Sequence, residues 1–413
     1  MTQKLTKCYL IVSIVVFGMT PSDVNGQETT EENHPGKVTF SGYVQALFQK
    51  ASAPGIRSFS GGDFEEHVDQ RFTVRRGRMK LTYEAGISSA VVQIDATEDG
   101  VIIRDAYVQF MEPVFHTFGL QAGVQNRAFG HEVAYSSRRR ESPERSRLFQ
   151  TLFSGERDAG VKLIIAPPEE SALGFLEMEA GFYNGSGTVA DYDSNKDFIG
   201  RLHTSFEGEL VPWQLGVGIS IYSGGQRQNS RYSYTMQEGN VAGSSYFYTV
   251  DSAESNIGKT ARRRYYGIEL QTAFDFPFGN SELRTEYIRG DQPGSSSSSR
   301  TPRSRPEEAI YHRQFEGAYA VFIQELGNSP VEAIIKYDFY DPNRRVTTSD
   351  LDEDFTEGDI RYQTWGYGLA WKYDEHITFT AYYEDVNNEK TNLSGYTGDV
   401  SDDVLSLRIQ YQF

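Results

Sequence analysis

The chain has 413 residues, with 40 Lys and Arg against 57 Asp and Glu, for a formal net charge of −17. That length fits two soluble domains or one large β-barrel, and 26 Tyr, 26 Phe and 39 Gly favour strands and turns over helices. The acidity argues against a general nucleic-acid binder, because neutralising phosphates requires a net basic face. The single cysteine, Cys8, excludes an internal disulfide and a thiolate metal site.

The first residues have the layout of a secretory signal peptide. Lys4 and Lys7 precede an apolar run at 9–19 that is too short to cross a bilayer as a helix. We therefore predict a leader over residues 1–26, followed by a short periplasmic segment over 27–37. A buried N-terminal strand is the alternative interpretation.

From residue 38 to the end, apolar and polar residues alternate in segments of strand length. The clearest segment is the last one, where Leu405, Leu407 and Ile409 alternate with polar neighbours. Tight turns and long loops also alternate between these segments, which is typical of outer-membrane barrels. The predicted strands are 38–49, 70–84, 89–98, 102–112, 117–125, 159–167, 173–183, 197–208, 212–223, 263–275, 281–290, 313–325, 330–341, 361–373, 376–386 and 402–413.

This count predicts an all-β fold, a 16-stranded antiparallel transmembrane β-barrel over residues 38–413. Short periplasmic turns and long extracellular loops join its strands, and it crosses the outer membrane of a Gram-negative bacterium many times. A soluble β-sandwich or propeller also alternates, but it would not restrict long loops to one side.

The second predicted strand, 70–84, is unusually basic. Phe72 and Val74 share one register, whereas Met79 and Leu81 follow the other, so we predict a β-bulge near 75–77. Basic side chains on the lipid face would cost roughly 2–4 kcal/mol each at the midplane, so they are expected inside the barrel. The predicted lumen ladder consists of Arg71, Arg75 or Arg76, Arg78 and Lys80.

Two loops carry further basic clusters. If the loop before the sixth strand folds into the barrel, its arginines would lie at a constriction, where their planar forks suit oxyanions. A third cluster is predicted near the mouth. The loop cluster comprises Arg138, Arg139, Arg140, Arg145 and Arg147, and the mouth cluster comprises Lys259, Arg262, Arg263 and Arg264.

Acidic residues on inward registers leave a second interpretation open. They are Asp95, Asp105, Glu177, Glu179, Glu269 and Glu286. If they face the arginines across the lumen, the pore would be a general, weakly selective one. The same arginines are therefore explained by either of two interpretations: an anion pathway lined by basic residues, or a general pore whose basic and acidic residues balance.

Several stretches taken together resemble the phosphate-selective porin O and P family. They are 72–80, 92–109, 120–130, 136–147, 155–160 and 411–413. The resemblance implies a 16-stranded barrel, a homotrimer in outer-membrane lipid, and passive uptake of small anions such as phosphate. It also implies arginines from a loop at the constriction.

Two other functional classes are open to such a chain, an enzyme and a receptor or adhesin barrel. An enzyme would need a nucleophile beside a base, and the best local candidate is His131-Glu132 near Ser136 and Ser137. The seven histidines are scattered, and no HExxH or GxSxG is present, so no catalytic, metal or cofactor site is expected. A receptor or adhesin barrel would use long polar loops such as 224–259.

Overall fold

The computed structural model describes residues 36–208, 212–241, 244–302, 304–346 and 355–413. The predicted leader, residues 1–26, and most of the periplasmic segment predicted at 27–37 lie outside these ranges. Within the ranges, no helix is both long enough and apolar enough to cross a membrane.

Strands dominate the described residues. The strands are β1 (Lys37–Ala51), β2 (Gln70–Ala85), β3 (Ser88–Thr97), β4 (Gly100–Met111), β5 (Phe118–Asn126), β6 (Arg157–Ile165), β7 (Leu176–Tyr183), β8 (Asp197–Gly208), β9 (Trp213–Arg227), β10 (Ser233–Val241), β11 (Ser244–Asp251), β12 (Thr260–Phe276), β13 (Gly279–Gly294), β14 (Ile310–Glu325), β15 (Val331–Asp341), β16 (Tyr362–Lys372), β17 (Ile377–Asn388) and β18 (Val404–Gln412). The helices are α1 (His131–Ala134) and α2 (Arg147–Leu152), with short 3₁₀ turns at Glu254–Asn256 and Glu357–Asp359.

The strands close into a barrel. Each barrel strand pairs antiparallel with its neighbour in sequence, β9 pairs directly with β12, and β18 returns to pair with β1. The remaining two strands, β10 and β11, form a hairpin in the loop between β9 and β12, and β10 runs parallel to the start of β14. Sixteen strands therefore form the barrel, as predicted, and each overlaps its predicted range. The hairpin was not predicted.

Connections differ between the two ends of the barrel. One end has tight turns, such as 277–278 between β12 and β13, and the other end has long loops, such as 127–156 between β5 and β6. The turn at 98–99, between β3 and β4, is an exception because it is short and lies at the long-loop end. The long-loop end is the extracellular one.

The barrel is apolar outside and polar inside. On β18, Leu405, Leu407 and Ile409 are exposed, whereas Ser406 and Arg408 are buried in the interior. This arrangement is the reverse of a soluble protein, and burying such an apolar surface requires lipid. The barrel therefore spans a membrane, and the soluble sandwich or propeller interpretation is wrong.

The bulge predicted in the second strand is confirmed. Gln45 pairs with Arg76 and Ala46 pairs with Val74, so Arg75 has no partner in the ladder. A Cβ atom added at Gly77 would lie 2.4 Å from the carbonyl oxygen of Ala96, so only glycine fits beside the bulge.

Residues 127–156, here called the inner loop, lie inside the barrel. Phe129 and Phe153 are 1% exposed, and their ring centres are 4.8 Å apart. They pack on tyrosines of the barrel wall, and Phe153 lies 5.9 Å from Tyr265 between ring centres. Burying each such ring contributes roughly 1.5–3 kcal/mol, so an apolar contact holds the loop inside the lumen.

Candidate pore constriction

The inner loop is anchored to the basic ladder on β2. Glu144 Oε1 accepts a hydrogen bond from Arg75 Nε at 2.6 Å, and Glu144 Oε2 accepts one from Arg76 Nη2 at 2.8 Å. Arg78 Nη1 donates to Ser137 Oγ at 2.7 Å. Burial raises the pKa of the Glu144 carboxyl, but Arg75 and Arg76 outweigh it and hold that pKa well below its usual range.

The same loop contacts the opposite wall. Arg284 of β13 forms an ion pair with Glu141 at 2.5 Å, and Lys336 Nζ of β15 lies 3.4 Å from Glu132 Oε1. On the β2 side, Arg408 Nη2 of β18 donates to the Glu141 carbonyl at 3.0 Å, and β18 is separated from β2 only by β1. The inner loop therefore crosses the lumen from β18 and β2 to β13 and β15, which meets the condition for placing its arginines at a constriction.

Other predicted loop arginines stabilise the loop itself. Arg145 Nη1 contacts Glu156 Oε1 at 2.5 Å, and its Nε donates to the Glu132 carbonyl at 2.7 Å. Arg140 is buried and donates to the carbonyls of Ser142 and Pro143. These two guanidinium groups fold the loop and do not face open solvent.

Two predicted arginines lie toward the extracellular side. Arg71 Nε donates to Gln49 Oε1 at 3.0 Å, and its guanidinium lies 3.9 Å from the centre of the Phe64 ring. Arg147, at the start of α2, places its Nη2 3.7 Å from Asp402 Oδ2 in the loop after β17.

Three predicted cations remain without an acidic partner among the described residues. Arg138 and Arg139 are exposed, Lys80 is half-buried, and none of the three forms an ion pair with a described carboxylate. Gln410 Nε2 donates to the Arg138 carbonyl at 3.0 Å, which fixes the backbone beneath the exposed side chains. Arg138 and Arg139 are therefore positive charges that the inner loop presents to the lumen, and Lys80 is one on the wall formed by β2.

The mouth cluster does not lie together as predicted. Arg263 points inward, is 1% exposed, and its Nη2 lies 3.0 Å from Asp197 Oδ2. Because side chains alternate along a strand, Arg262 and Arg264 point to the outer face of β12. Their assignment to the anion pathway was therefore wrong, and Arg263 is neutralised by its aspartate. Lys259 Nζ donates to Asn256 Oδ1 at 2.8 Å, in the loop before β12.

Most predicted lumen acids pair with arginine or lysine. Glu286 instead accepts a hydrogen bond from the Tyr319 hydroxyl at 2.8 Å, and Glu177 is exposed. The ion pairs are Asp95 with Arg78, Asp105 with Arg157, Glu179 with Lys162, and Glu269 with Arg201. Much of the lumen is therefore electrically balanced.

The predicted enzymatic alternative gains no support from local geometry. His131 stacks on Tyr135 with ring centres 4.9 Å apart, and burial lowers the pKa of His131 to about 3. Glu132 accepts hydrogen bonds from Ser146. Within the described part of the chain, neither His131 nor Glu132 bonds to Ser136 or Ser137. No nucleophile is therefore activated there.

No protein-family model matches the chain, and no curated protein matches it. Several solved structures match the fold of this chain. The outer membrane channel DcaP of Acinetobacter baumannii matches with a TM-score of 0.54 and 12% identity, over 92% of this chain and 97% of that chain. An anion-selective porin from Comamonas acidovorans matches with a TM-score of 0.52 and 9% identity, over 92% and 100%. The trimer form of OmpT, an outer membrane protein of Vibrio cholerae, matches with a TM-score of 0.50 and 9% identity, over 92% and 99%.

This chain has the fold of an outer-membrane porin. At these identities the likeness shows the fold alone, and the closer resemblance to the phosphate-selective O and P family stays a prediction. The closed barrel and its apolar outer face place the chain in the outer membrane of a Gram-negative bacterium as a multi-pass β-barrel.

Proposed function

We propose that the protein is a diffusion porin whose water-filled channel lets small solutes cross the outer membrane passively, with a modest preference for anions. One observation supports this most directly. Arg138 and Arg139 are exposed on a loop that crosses the lumen, and they have no carboxylate partner among the described residues. Free positive charge at a narrow section raises the local concentration of anions and excludes cations.

The preference is modest because most other lumen arginines are neutralised. Arg75 and Arg76 share Glu144, and Arg78 pairs with Asp95. A binding site selective for phosphate would need several guanidinium forks directed at one anion, but these forks are already occupied by carboxylates. Phosphate is therefore one of the small anions that pass, and the general, weakly selective pore is closer to this proposal than a phosphate-selective one.

Removing the two free charges tests the proposal. In the Arg138→Ala/Arg139→Ala double variant, the reversal potential in a planar bilayer under a KCl gradient should shift toward cation preference. Arg262→Ala/Arg264→Ala is the matched control, because it removes two arginines from the outer face of the same barrel. Equal reversal potentials for the two double variants would overturn the proposal.

We also propose a homotrimer that contacts itself through the face formed by β2 to β4. The extracellular edge of the barrel wall is low there because the turn at 98–99 is short. Near this edge, Phe72 is 84% exposed and Val101 is 66% exposed. Such apolar side chains at the rim need cover from another subunit or from lipid. Native mass spectrometry of the refolded protein should give a trimer, and Phe72→Ser should shift it toward monomer.

A further inference from the structure

A cavity of about 740 Å³ lies on the extracellular side of the inner loop. This vestibule cavity is formed by the long loops after β1, β13, β15 and β17 together with α2 of the inner loop. Small-molecule sites are typically about 300–1,000 Å³, so its size suits an organic solute rather than a bare ion.

Arg147 projects into this cavity with a fixed orientation. Its guanidinium carbon lies 3.6 Å from the ring centre of Tyr362 and 4.3 Å from that of Phe59. Aromatic contacts on the guanidinium faces leave the N–H groups directed along the plane, where a carboxylate can bind two of them at once.

The donors of Arg147 are incompletely used. The side chain is 10% exposed, and Nη2 lies 3.7 Å from Asp402 Oδ2, which is longer than a hydrogen bond. Arg147 Nε is buried and has no hydrogen-bond partner among the described residues. A buried donor without a partner costs roughly 1–3 kcal/mol, and a ligand that accepted its hydrogen bond would recover this.

Asp402 does not fully compensate this arginine. Its Oδ1 is also buried without a hydrogen-bond partner in the described part of the chain. Burial, helped by the charges of Asp399 and Asp403, outweighs the opposing charge of Arg147 and raises the pKa of Asp402 to about 7. Near neutral pH, part of the protein therefore carries a neutral Asp402 and a positive Arg147.

The other walls favour an apolar ligand body. Phe59, Ile360 and Tyr362 line the cavity, and the Arg300 guanidinium lies 4.4 Å from the centre of the Phe59 ring. Glu357, an acid on the same rim, is neutralised by Arg57 at 3.1 Å. Asp63, another acid of the lining, accepts a hydrogen bond from the Ser58 amide at 2.9 Å. The cavity thus combines apolar walls with a buried, incompletely paired arginine.

We propose that the vestibule cavity binds small organic carboxylates that carry an apolar body, and concentrates them above the constriction. The carboxylate would accept hydrogen bonds from Arg147, and the body would pack on the aromatic walls. This inference rests on the proposed porin function for its biological role, but binding itself can be measured without transport. Inorganic phosphate lacks the apolar body, and a neutral amide lacks the charge.

Isothermal titration of the refolded full-length chain with benzoate at pH 6 tests the proposal, with benzamide and inorganic phosphate as comparison ligands. Benzoate should bind saturably and at least tenfold more tightly than either. Arg147→Gln should weaken benzoate binding at least tenfold, whereas Arg231→Gln, on the exposed hairpin loop, should leave it unchanged. Tyr362→Leu, which keeps the charge but removes one stacking partner, should also weaken it. Altered gel mobility of unheated samples would identify a variant that failed to fold.

Equal affinities for benzoate and benzamide, or unchanged benzoate binding in folded Arg147→Gln, would overturn the proposal. Reversal potentials measured on the same preparations separate it from the porin function. If Arg147→Gln loses benzoate binding but keeps the anion preference of the natural chain, the vestibule site is separate from the constriction. Benzoate binding by a protein without ion conductance would contradict the porin function and leave the site intact.

Discussion

Replacing Glu144 by glutamine should both loosen the inner loop and make the pore more anion-selective. The Glu144 side chain is 4% exposed, and its two oxygens bind Arg75 and Arg76. Removing one partner of a buried ion pair costs about 3–5 kcal/mol, because the remaining charge stays buried without compensation. Glutamine keeps one acceptor oxygen, so we expect about 3 kcal/mol.

The assay is urea unfolding of the refolded barrel, and the folded fraction is measured on gels, where the folded form migrates faster. Glu254→Gln is the matched control, since Glu254 is 71% exposed and pairs with Arg231 on an outer loop. An exposed pair of this kind contributes only about 0–1 kcal/mol. An unfolding midpoint that moves no further in Glu144→Gln than in Glu254→Gln would refute the role assigned to Glu144.

The difference in stability between the natural chain and Glu144→Gln should depend on pH. Because the pKa of Glu144 in the folded protein is well below its unfolded value of about 4.3, its stabilisation is present above that pH and is lost in acid. The gap in stability between the natural chain and Glu144→Gln should therefore be constant from pH 8 to pH 6 and shrink below about pH 4.

Three further predictions concern the packing, the bulge and the vestibule. Phe153→Ala should lower the free energy of unfolding by about 3–5 kcal/mol, measured in the same urea assay, and an unchanged midpoint would show that the inner loop is not held by this aromatic cluster. Gly77→Val should reduce the refolded yield on gels, because its Cβ would lie 2.4 Å from the Ala96 carbonyl, and a normal yield would contradict the bulge geometry. Benzoate should bind more tightly at pH 6 than at pH 8, because a protonated Asp402 no longer competes for Arg147; calorimetry showing the reverse order would contradict this.

The barrel could be predicted from the sequence because lipid outside and water inside impose a period of two on every strand. Leu405, Leu407 and Ile409 follow that rule, and the departure of the second strand from it correctly located the bulge at Arg75. The inward fold of the β5–β6 loop was only a condition of the sequence interpretation, because its composition is equally typical of a long external loop.

The pairing of charges could not be predicted, because it depends on contacts between distant residues. Glu144 lies 69 residues from Arg75 in sequence, and nothing local indicates that they meet. Tyr265 follows ordinary strand alternation, so its role as an internal anchor for the inner loop was invisible. Arg262 and Arg264 were misplaced because three consecutive arginines were treated as one cluster, whereas consecutive side chains of a strand point to opposite faces.

The most direct test of the central proposal is the reversal potential of the refolded natural chain in a planar bilayer under a KCl gradient. We expect an open, ion-conducting channel with a modest anion preference, caused by Arg138 and Arg139 on the inner loop. A cation-selective potential would contradict the assignment of these arginines to the pathway. The absence of conductance would contradict the porin function and favour a receptor or adhesin barrel.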